Sequence, residues 1–342
     1  MRSILIRCDG GADIGMGHAV RSLALADELR DAHGCAIAFA MREPAGAGAA
    51  AVRAAGYAID VIEADDRHDY PDVLAALTAS RKADVLIVDV RDALSRAALD
   101  RLRQAGVHIV TIDDISERRL ASDLAFYPPV PHVAAIDWTG FTGRRYAGWE
   151  WVILRREFGA GGAGGESPAI DVLVTMGGSD AAGMTAFTLQ ALELLPMPLS
   201  VLVVVGPAFT HALELIDAAA RSRHSVRIAR TPGSMAALMR GSRMAVAAFG
   251  VSAYELAACG VPAVHLCLTS DHERSSSAFV EAGIAITAGV FGHVLPEQIA
   301  DSVTRLMGNA GRRGEMAERA RRLVDGGGAR RVADEIVSRL LS

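Results

Sequence analysis

The chain has 342 residues, 51% of them from the AVILMFWYC set and 22% charged, so it holds about two domains with a sizeable core and is neither disordered nor fibrous. A net charge of −5 and an aromatic content of 5% argue against a basic groove for nucleic acid, a stacking platform for single strands and a membrane-surface stripe. Four scattered cysteines, Cys8, Cys35, Cys259 and Cys267, with no CxxC pair, make neither a disulfide framework nor a structural zinc site.

The opening apolar run covers only Ile4 to Ile6 before Arg7 and Asp9, too short for a signal peptide. Ser3 to Cys8 reads as a buried strand, and Ala19 to Leu29 carries apolar residues at helical spacing. Cys35 to Ala40 and Ala58 to Ile62 read as further strands, followed by Ala83 to Val88 and Val107 to Ile112, each after a helical pattern. Strands alternating with helices predict a parallel sheet covered on both faces. A glycine run, Gly159 to Gly165, marks a flexible linker.

The alternation then restarts. Asp171 to Thr175, Leu199 to Val205, Met244 to Ala248 and Ala263 to Leu266 read as strands, and Ala181 to Leu195 as a helix. The long apolar stretch from Met244 to Leu268 is broken by Gly250, Glu255, Gly260 and Pro262, so it is not a membrane span. Ala329 to Leu341 reads as a charged amphipathic helix after Gly326, Gly327 and Gly328. The expected architecture is α/β: two doubly wound Rossmann-like domains, 1–158 and 168–342, joined by a linker over 159–167. Ligands of such sheets bind outside the carboxyl ends of the strands, here in the cleft between the domains. A soluble, cytoplasmic protein is expected, monomeric by default.

The first strand runs into Arg7-Cys8-Asp9 and a glycine-rich turn that includes Gly15-Met16-Gly17-His18. Glycines between strand and helix allow close backbone approach to a ligand. The turn is a poor nicotinamide fingerprint, because Val20 stands where the third glycine would sit and the second strand does not close on an acidic residue. His18 lies in the first turn of a helix, where the dipole disfavours the charged imidazole. It reads either as a general base or as a capping and packing residue.

In the second half, Gly177-Gly178-Ser179-Asp180 follows a strand. This is either a cradle for phosphate or sugar oxygens, or a tight turn with Ser179 or Asp180 as N-cap. Gly250 turns the chain and Ser252 opens a helix whose N–H groups can face a diphosphate, and Glu255 one turn on either accepts two ribose hydroxyls or simply favours the helix N-terminus. Asp113-Asp114 at a strand end reads mainly as a turn. The cluster Arg312, Arg313, Arg319, Arg321 and Arg322 reads as a solvated helix face, since acidic residues interrupt it.

Arg7-x-Asp9, Ile14-Gly15-Met16-Gly17-His18 and Arg21-x-Leu23-x-Leu25-Ala26 together resemble the opening of the PseG/SpsG family, UDP-2,4-diacetamido-2,4,6-trideoxy-β-L-altropyranose hydrolases of the pseudaminic acid pathway. The resemblance continues at Asp113-Asp114, at Tyr146-Ala147-Gly148 with Arg155-Arg156-Glu157-Phe158, and at Met176-Gly177-Gly178-Ser179-Asp180. It ends with Ser252-x-x-Glu255 and Asp325-Gly326-x-Gly328-Ala329-x-Arg331-Val332. It implies a GT-B fold like that of the glycosyltransferase making lipid II, with no metal and no cofactor. It implies His18 as the base that activates water at the anomeric carbon. It implies substrate contacts from Arg7, Asp9, Gly15, Gly17, Arg21 and Arg91 in the first half. In the second half it implies contacts from Gly177, Gly178, Ser179, Asp180, Gly250, Ser252, Ala253, Glu255, Asp271 and His272, with Ser252 and Ala253 at the diphosphate and Glu255 at the ribose.

The chain departs from that pattern at sugar-side positions. Asp89-Val90-Arg91 stands where the family has Asp-His-Tyr, Asp271-His272 where it has Asn-Gln, and Tyr127-Pro128-Pro129 where it is Asn-rich. The leading expectation is a UDP-sugar hydrolase, with a GT-B glycosyltransferase as the alternative and a non-catalytic two-lobed binding protein as a third class. A fold by itself does not separate these.

Overall fold

The computed structural model describes all residues except 1, 12–13, 43–44, 64–68, 160–168, 207, 231 and 342. The chain divides into two compact units, Met1–Arg155 with Gly327–Ser342, and Arg156–Gly326.

The first unit runs β1 (Ser3–Cys8), α1 (Gly17–His33), β2 (Ala36–Met41), α2 (Ala47–Ala54), β3 (Ala58–Val61), α3 (Tyr70–Ser80), β4 (Val85–Asp89), α4 (Arg96–Gln104), β5 (His108–Ile112), β6 (Leu124–Tyr127) and β7 (Arg144–Ala147). Its strands pair in parallel in the order β3-β2-β1-β4-β5-β6-β7. The strand order reverses between β1 and β4, and the loops at the carboxyl ends diverge there to leave a crevice. β1 and β4 are apolar and buried almost throughout because helices cover both faces. Gly34 ends α1 in the left-handed region, at φ 66°, its N–H bonding the Arg30 carbonyl.

The second unit runs β8 (Ile170–Thr175), α5 (Met184–Leu192), β9 (Ser200–Val205), α6 (Ala212–Arg221), β10 (Ser225–Arg230), α7 (Met235–Arg240), β11 (Ser242–Ala248), α8 (Val251–Cys259), β12 (Ala263–Cys267), α9 (Ser270–Glu281), β13 (Ala285–Val290), α10 (Pro296–Met307) and α11 (Ala310–Leu323). Its parallel order, β10-β9-β8-β11-β12-β13, reverses between β8 and β11 in the same manner. Two doubly wound α/β units are therefore present, as expected from the alternation.

The last helix, α12 (Gly328–Leu340), departs from the expected domain plan. It belongs to the first unit, not the second. Its Ala329, Val332, Ala333, Ile336 and Val337 share one core with Leu25 and Leu29 of α1 and Phe39 of β2. The crossing back is tight at Gly328, where an added Cβ would come within 2.1 Å of the Val152 carbonyl oxygen. The first unit ends at Arg155, so Arg156–Phe158 also change sides. Of the expected linker, Gly159 is described, its N–H bonding the Arg156 carbonyl, and the rest lies outside the described residues.

The helix expected over Ala181–Leu195 spans only Met184–Leu192. Gly183, in the left-handed region, precedes its first turn, and the Asp180 carboxylate takes the N–H groups of Met184 and Thr185. Strands β6, β7, β10 and β13 were not anticipated: β7, β10 and β13 are outermost, with few fully buried positions, and β6 next to an edge is only four residues long. Among the described residues no helix is long and apolar enough to cross a membrane.

Candidate active site

β1 and β4 lie side by side, with Cys8 opposite Asp89 at their carboxyl ends. The chain leaves β1 through a glycine turn, closed by an N–H of Gly11 donating to the Gly15 carbonyl at 3.1 Å, and enters α1 at Gly17. Gly15 sits at φ 75°, a left-handed position that favours glycine. The turn also touches α2: the Gly48 N–H donates to the Gly10 carbonyl, and a Cβ on Gly48 would lie 2.6 Å from that oxygen.

This path brings His18 to the end of β4. Its Nδ1 lies 2.6 Å from Oδ1 of Asp89, a carboxylate with no solvent exposure. A contact that short to a carboxylate places a proton on Nδ1, so that in the neutral imidazole the lone pair is on Nε2. Arg21 Nη2 also stands 3.2 Å from Nδ1, but the shorter carboxylate contact takes that nitrogen. Among the described residues Nε2 has no protein partner, and the imidazole is 18% exposed. Arg21, one turn further on, holds Asp89 with two nitrogens, Nε at 2.7 Å and Nη2 at 2.5 Å, and Ser22 Oγ donates to the same carboxylate at 3.2 Å. Burial alone would raise the Asp89 pKa, but Arg21 and His18 outweigh it and hold the carboxyl far below its usual range.

Asp113 lies beside this pair, at the end of β5 and in the left-handed region at φ 54°. It bridges Arg21 at 3.2 Å and Arg91 at 3.6 Å. Arg91, just past β4, has a 60% exposed side chain. His18, Arg21 and Arg91 are therefore gathered by two aspartates that sequence reasoning did not select as site residues. Asp89 was nonetheless detectable in principle, since a charge closing the buried run Val85–Val88 must find a partner.

Arg7 and Asp9 have a different place. Arg7 is fully buried, and its guanidinium meets Tyr70 Oη at 2.6 Å, Asp9 Oδ2 at 2.6 Å and Asp92 Oδ2 at 3.0 Å. The Tyr70 hydroxyl in turn donates to Asp92 at 2.6 Å, and Arg118 joins Asp92 to Asp114 at 2.8 Å on each side. Asp9 spends its other oxygen on the Arg42 N–H at 2.8 Å. These residues, expected at the substrate, instead tie the loops after β1, β4 and β5 into one frame. No atom of Arg7 reaches solvent. Burial would lower the Arg7 pKa, but Tyr70, Asp9 and Asp92 raise it, so the guanidinium stays charged. Asp114 is likewise buried in this frame.

In the second unit, the expected residues lie in the loops at the carboxyl ends of β8, β11 and β12. Gly177 is exposed, at φ 82°. Gly178 lies so close to the loop after β9 that a Cβ on Gly206 would stand 2.4 Å from the Gly178 carbonyl oxygen. Ser179 is half-buried. Asp180, at φ 46°, caps α5 with both oxygens, which makes it a structural residue. Gly250 is extended and precedes α8. Ser252 is half-buried and Ala253 is buried, with its N–H already donating to the Gly250 carbonyl at 3.0 Å. Glu255 is buried in the next turn. His272 is half-buried and close to the Phe249 ring, whereas Asp271 is an exposed residue ion-paired with Arg274. Among the described residues no three His, Cys, Asp or Glu side chains converge as metal ligands.

No family model matches the chain. In sequence it is similar to the spore coat polysaccharide biosynthesis protein SpsG of Bacillus subtilis, 25% identical over 332 residues that cover 96% of this chain and 95% of that protein. In structure it is similar to MurG of Acinetobacter baumannii, with a TM-score of 0.70 at 17% identity over 99% of this chain and 100% of the other. It is also similar to the UDP-GlcNAc 2-epimerase of Neisseria meningitidis bound to UDP-GlcNAc, with a TM-score of 0.64 at 12% identity over 99% of this chain and 100% of the other. Two doubly wound parallel sheets in this order are the GT-B fold, and over nearly its whole length the chain that carries it here is similar in sequence to SpsG.

Proposed function

We propose that the protein hydrolyses a nucleotide-activated sugar, a UDP-linked diacetamido-trideoxy hexose, in the synthesis of a surface polysaccharide. The observation that carries this reading is the 2.6 Å contact between His18 Nδ1 and the buried, charged Asp89, which supports Nε2 as the base. Similarity to SpsG over 96% of the chain supports the choice of pathway class.

In the proposed reaction, Nε2 of His18 takes a proton from a water molecule as its oxygen bonds to the anomeric carbon. The bond from that carbon to the diphosphate oxygen breaks, and its electron pair leaves with UDP. The free sugar is released with inverted configuration, and the proton passes from His18 to solvent. UDP is a good leaving group, so the protein has mainly to orient water and meet the diphosphate charge. The loop at Gly177–Gly178 and the start of α8 at Ser252 offer backbone groups for the diphosphate, and Glu255 is the candidate for the ribose hydroxyls. Asp89 keeps the imidazole in the correct tautomer and stabilises the imidazolium that forms, as the aspartate of a catalytic triad does.

A second reading uses the same base on an acceptor hydroxyl. Structural neighbours described as glycosyltransferases, among them the spinosyn rhamnosyltransferase SpnG, with a TM-score of 0.66, favour keeping it. One experiment separates the two. The purified protein is given the UDP-sugar in ¹⁸O-water without acceptor and with a chelator. Release of UDP with ¹⁸O at the anomeric carbon supports hydrolysis. UDP binding with release only after an acceptor is added supports transfer and overturns hydrolysis.

A further inference from the structure

The basic cluster near the end of the chain is a mostly exposed helix face, as expected, but its arginines have different surroundings. Arg313 is spent on the end of α10, donating to the Met307 carbonyl at 2.6 Å, and Arg322 pairs with Glu318. Arg312 and Arg319 point elsewhere. Two turns apart on α11, with Met316 between them, they line a cavity of about 460 Å³ together with Arg305 of α10. Val280, Ile286 and Met316 give it apolar walls, and Thr287 adds a hydroxyl.

We propose that this cavity is a second ligand site, for a phosphate group carried by a small soluble molecule. Three exposed arginines line the cavity with one carboxylate, Glu315; Arg305 Nε also donates to the Asp301 carbonyl at 3.2 Å, and among the described residues none of the four side chains is in an ion pair. Like charges brought together at no gain to the fold fit a site whose compensating anion comes from outside, and the planar guanidinium is suited to phosphate. Gly283, which follows the end of α9 at φ 69°, lies at the rim of the cavity with Arg319 Nη1 beside it. The volume falls within the ~300–1,000 Å³ usual for small-molecule sites, and the apolar walls suit the carbon skeleton of a phosphate ester.

The position separates this cavity from the site proposed for the nucleotide. Its strand residues, Ala285 to Thr287, open β13, which runs parallel to β12 from the pair Ala263–Ala285. Val280 and Arg305 lie at the ends of helices that return to that side. The cavity is therefore at the amino ends of the strands, whereas Gly177 and Ser252 follow the carboxyl ends of β8 and β11. A ligand there does not compete with UDP, and its effect on turnover would be allosteric.

The test is titration of the whole protein with inorganic pyrophosphate by calorimetry, in the presence of saturating UDP. The expected result is one pyrophosphate site in the wild type. It weakens ~10-fold or more in Arg312→Ala/Arg319→Ala and persists in Arg322→Ala, whose arginine is already paired. The single variant Arg312→Gln, at an exposed position, provides the same comparison should the double variant fold poorly. No pyrophosphate binding in the wild type, or equal binding in all variants, overturns the proposal. Binding to phosphatidylglycerol vesicles without binding to pyrophosphate overturns the soluble ligand. If UDP itself fails to bind, the reading of the catalytic function fails, yet the wild-type and variant titrations remain comparable.

Discussion

Nδ1 of His18 and Oδ1 of Asp89 lie 2.6 Å apart, joining the first turn of α1 to the last residue of β4 across 71 positions of sequence. The carboxylate is shut off from solvent and the imidazole is not. This asymmetry suits the role proposed for the pair, a base with a fixed back and an open front.

Substitution of either member should therefore act on kcat. His18→Ala is expected to lower kcat ~10²–10⁴-fold while leaving UDP affinity unchanged. Asp89→Asn presents an amide N–H to Nδ1, moves the imidazole proton to Nε2 and removes the base. It also leaves Arg21 without its buried counter-charge, so the Tm should fall as kcat does, whereas His18→Ala leaves the Tm nearly unchanged. Steady-state kinetics with calorimetric UDP binding checks both. Unaltered turnover in either variant rejects His18 as the base.

The close approach of Gly178 to Gly206 gives a prediction for nucleotide binding. Gly206→Ala puts a methyl group where only 2.4 Å separates an ideal Cβ from the Gly178 carbonyl oxygen. The Gly178 loop must shift, at a cost of ~1–3 kcal/mol in stability. UDP affinity should fall with it, and should be recovered by no change in the first unit. Affinity equal to wild type would mean that this loop does not touch the nucleotide.

Stability should also depend on pH through His265. This residue of β12 is buried with its Nδ1 2.9 Å from Ser276 Oγ, and burial lowers its pKa from 6.5 to about 3. The unfolded chain takes up a proton below about 6.5, while the folded chain refuses it until about 3. Its contribution to stability is thus complete above pH 6.5 and is lost progressively as pH falls toward 3. Denaturant melts between pH 7 and 4 should show a decline that His265→Gln flattens.

The docking of α12 on the first unit predicts a different unfolding behaviour from the one its sequence position suggests. Ile336 is fully buried in the core that α12 shares with α1. Ile336→Ala should cost ~2–5 kcal/mol in the first unit and leave the second unit's transition in place. Hydrogen exchange resolved by segment distinguishes this from loss in the second unit.

Much of the architecture was legible because local physics decides it. The buried apolar runs at Ser3–Cys8 and Asp171–Thr175, and the glycine turns that follow them, specify strand, turn and helix whatever surrounds them. The place of His18 in the first turn of α1 and of Gly177–Gly178 in the turn after β8 was readable for the same reason. Edge strands such as β7, with two arginines in four residues, were not, because their identity depends on the neighbour they pair with.

By itself the sequence determined two doubly wound α/β units, where glycine turns end their strands, and a histidine at the start of the first long helix. These follow from burial and turn chemistry within short stretches of chain. Only the tertiary structure decided that Asp89 stands behind His18, that Arg7 and Asp9 brace loops, and that the last helix belongs to the first core. Each of these depends on pairing across long separations, where a buried charge or an apolar face is stable only with a partner whose position local sequence does not encode.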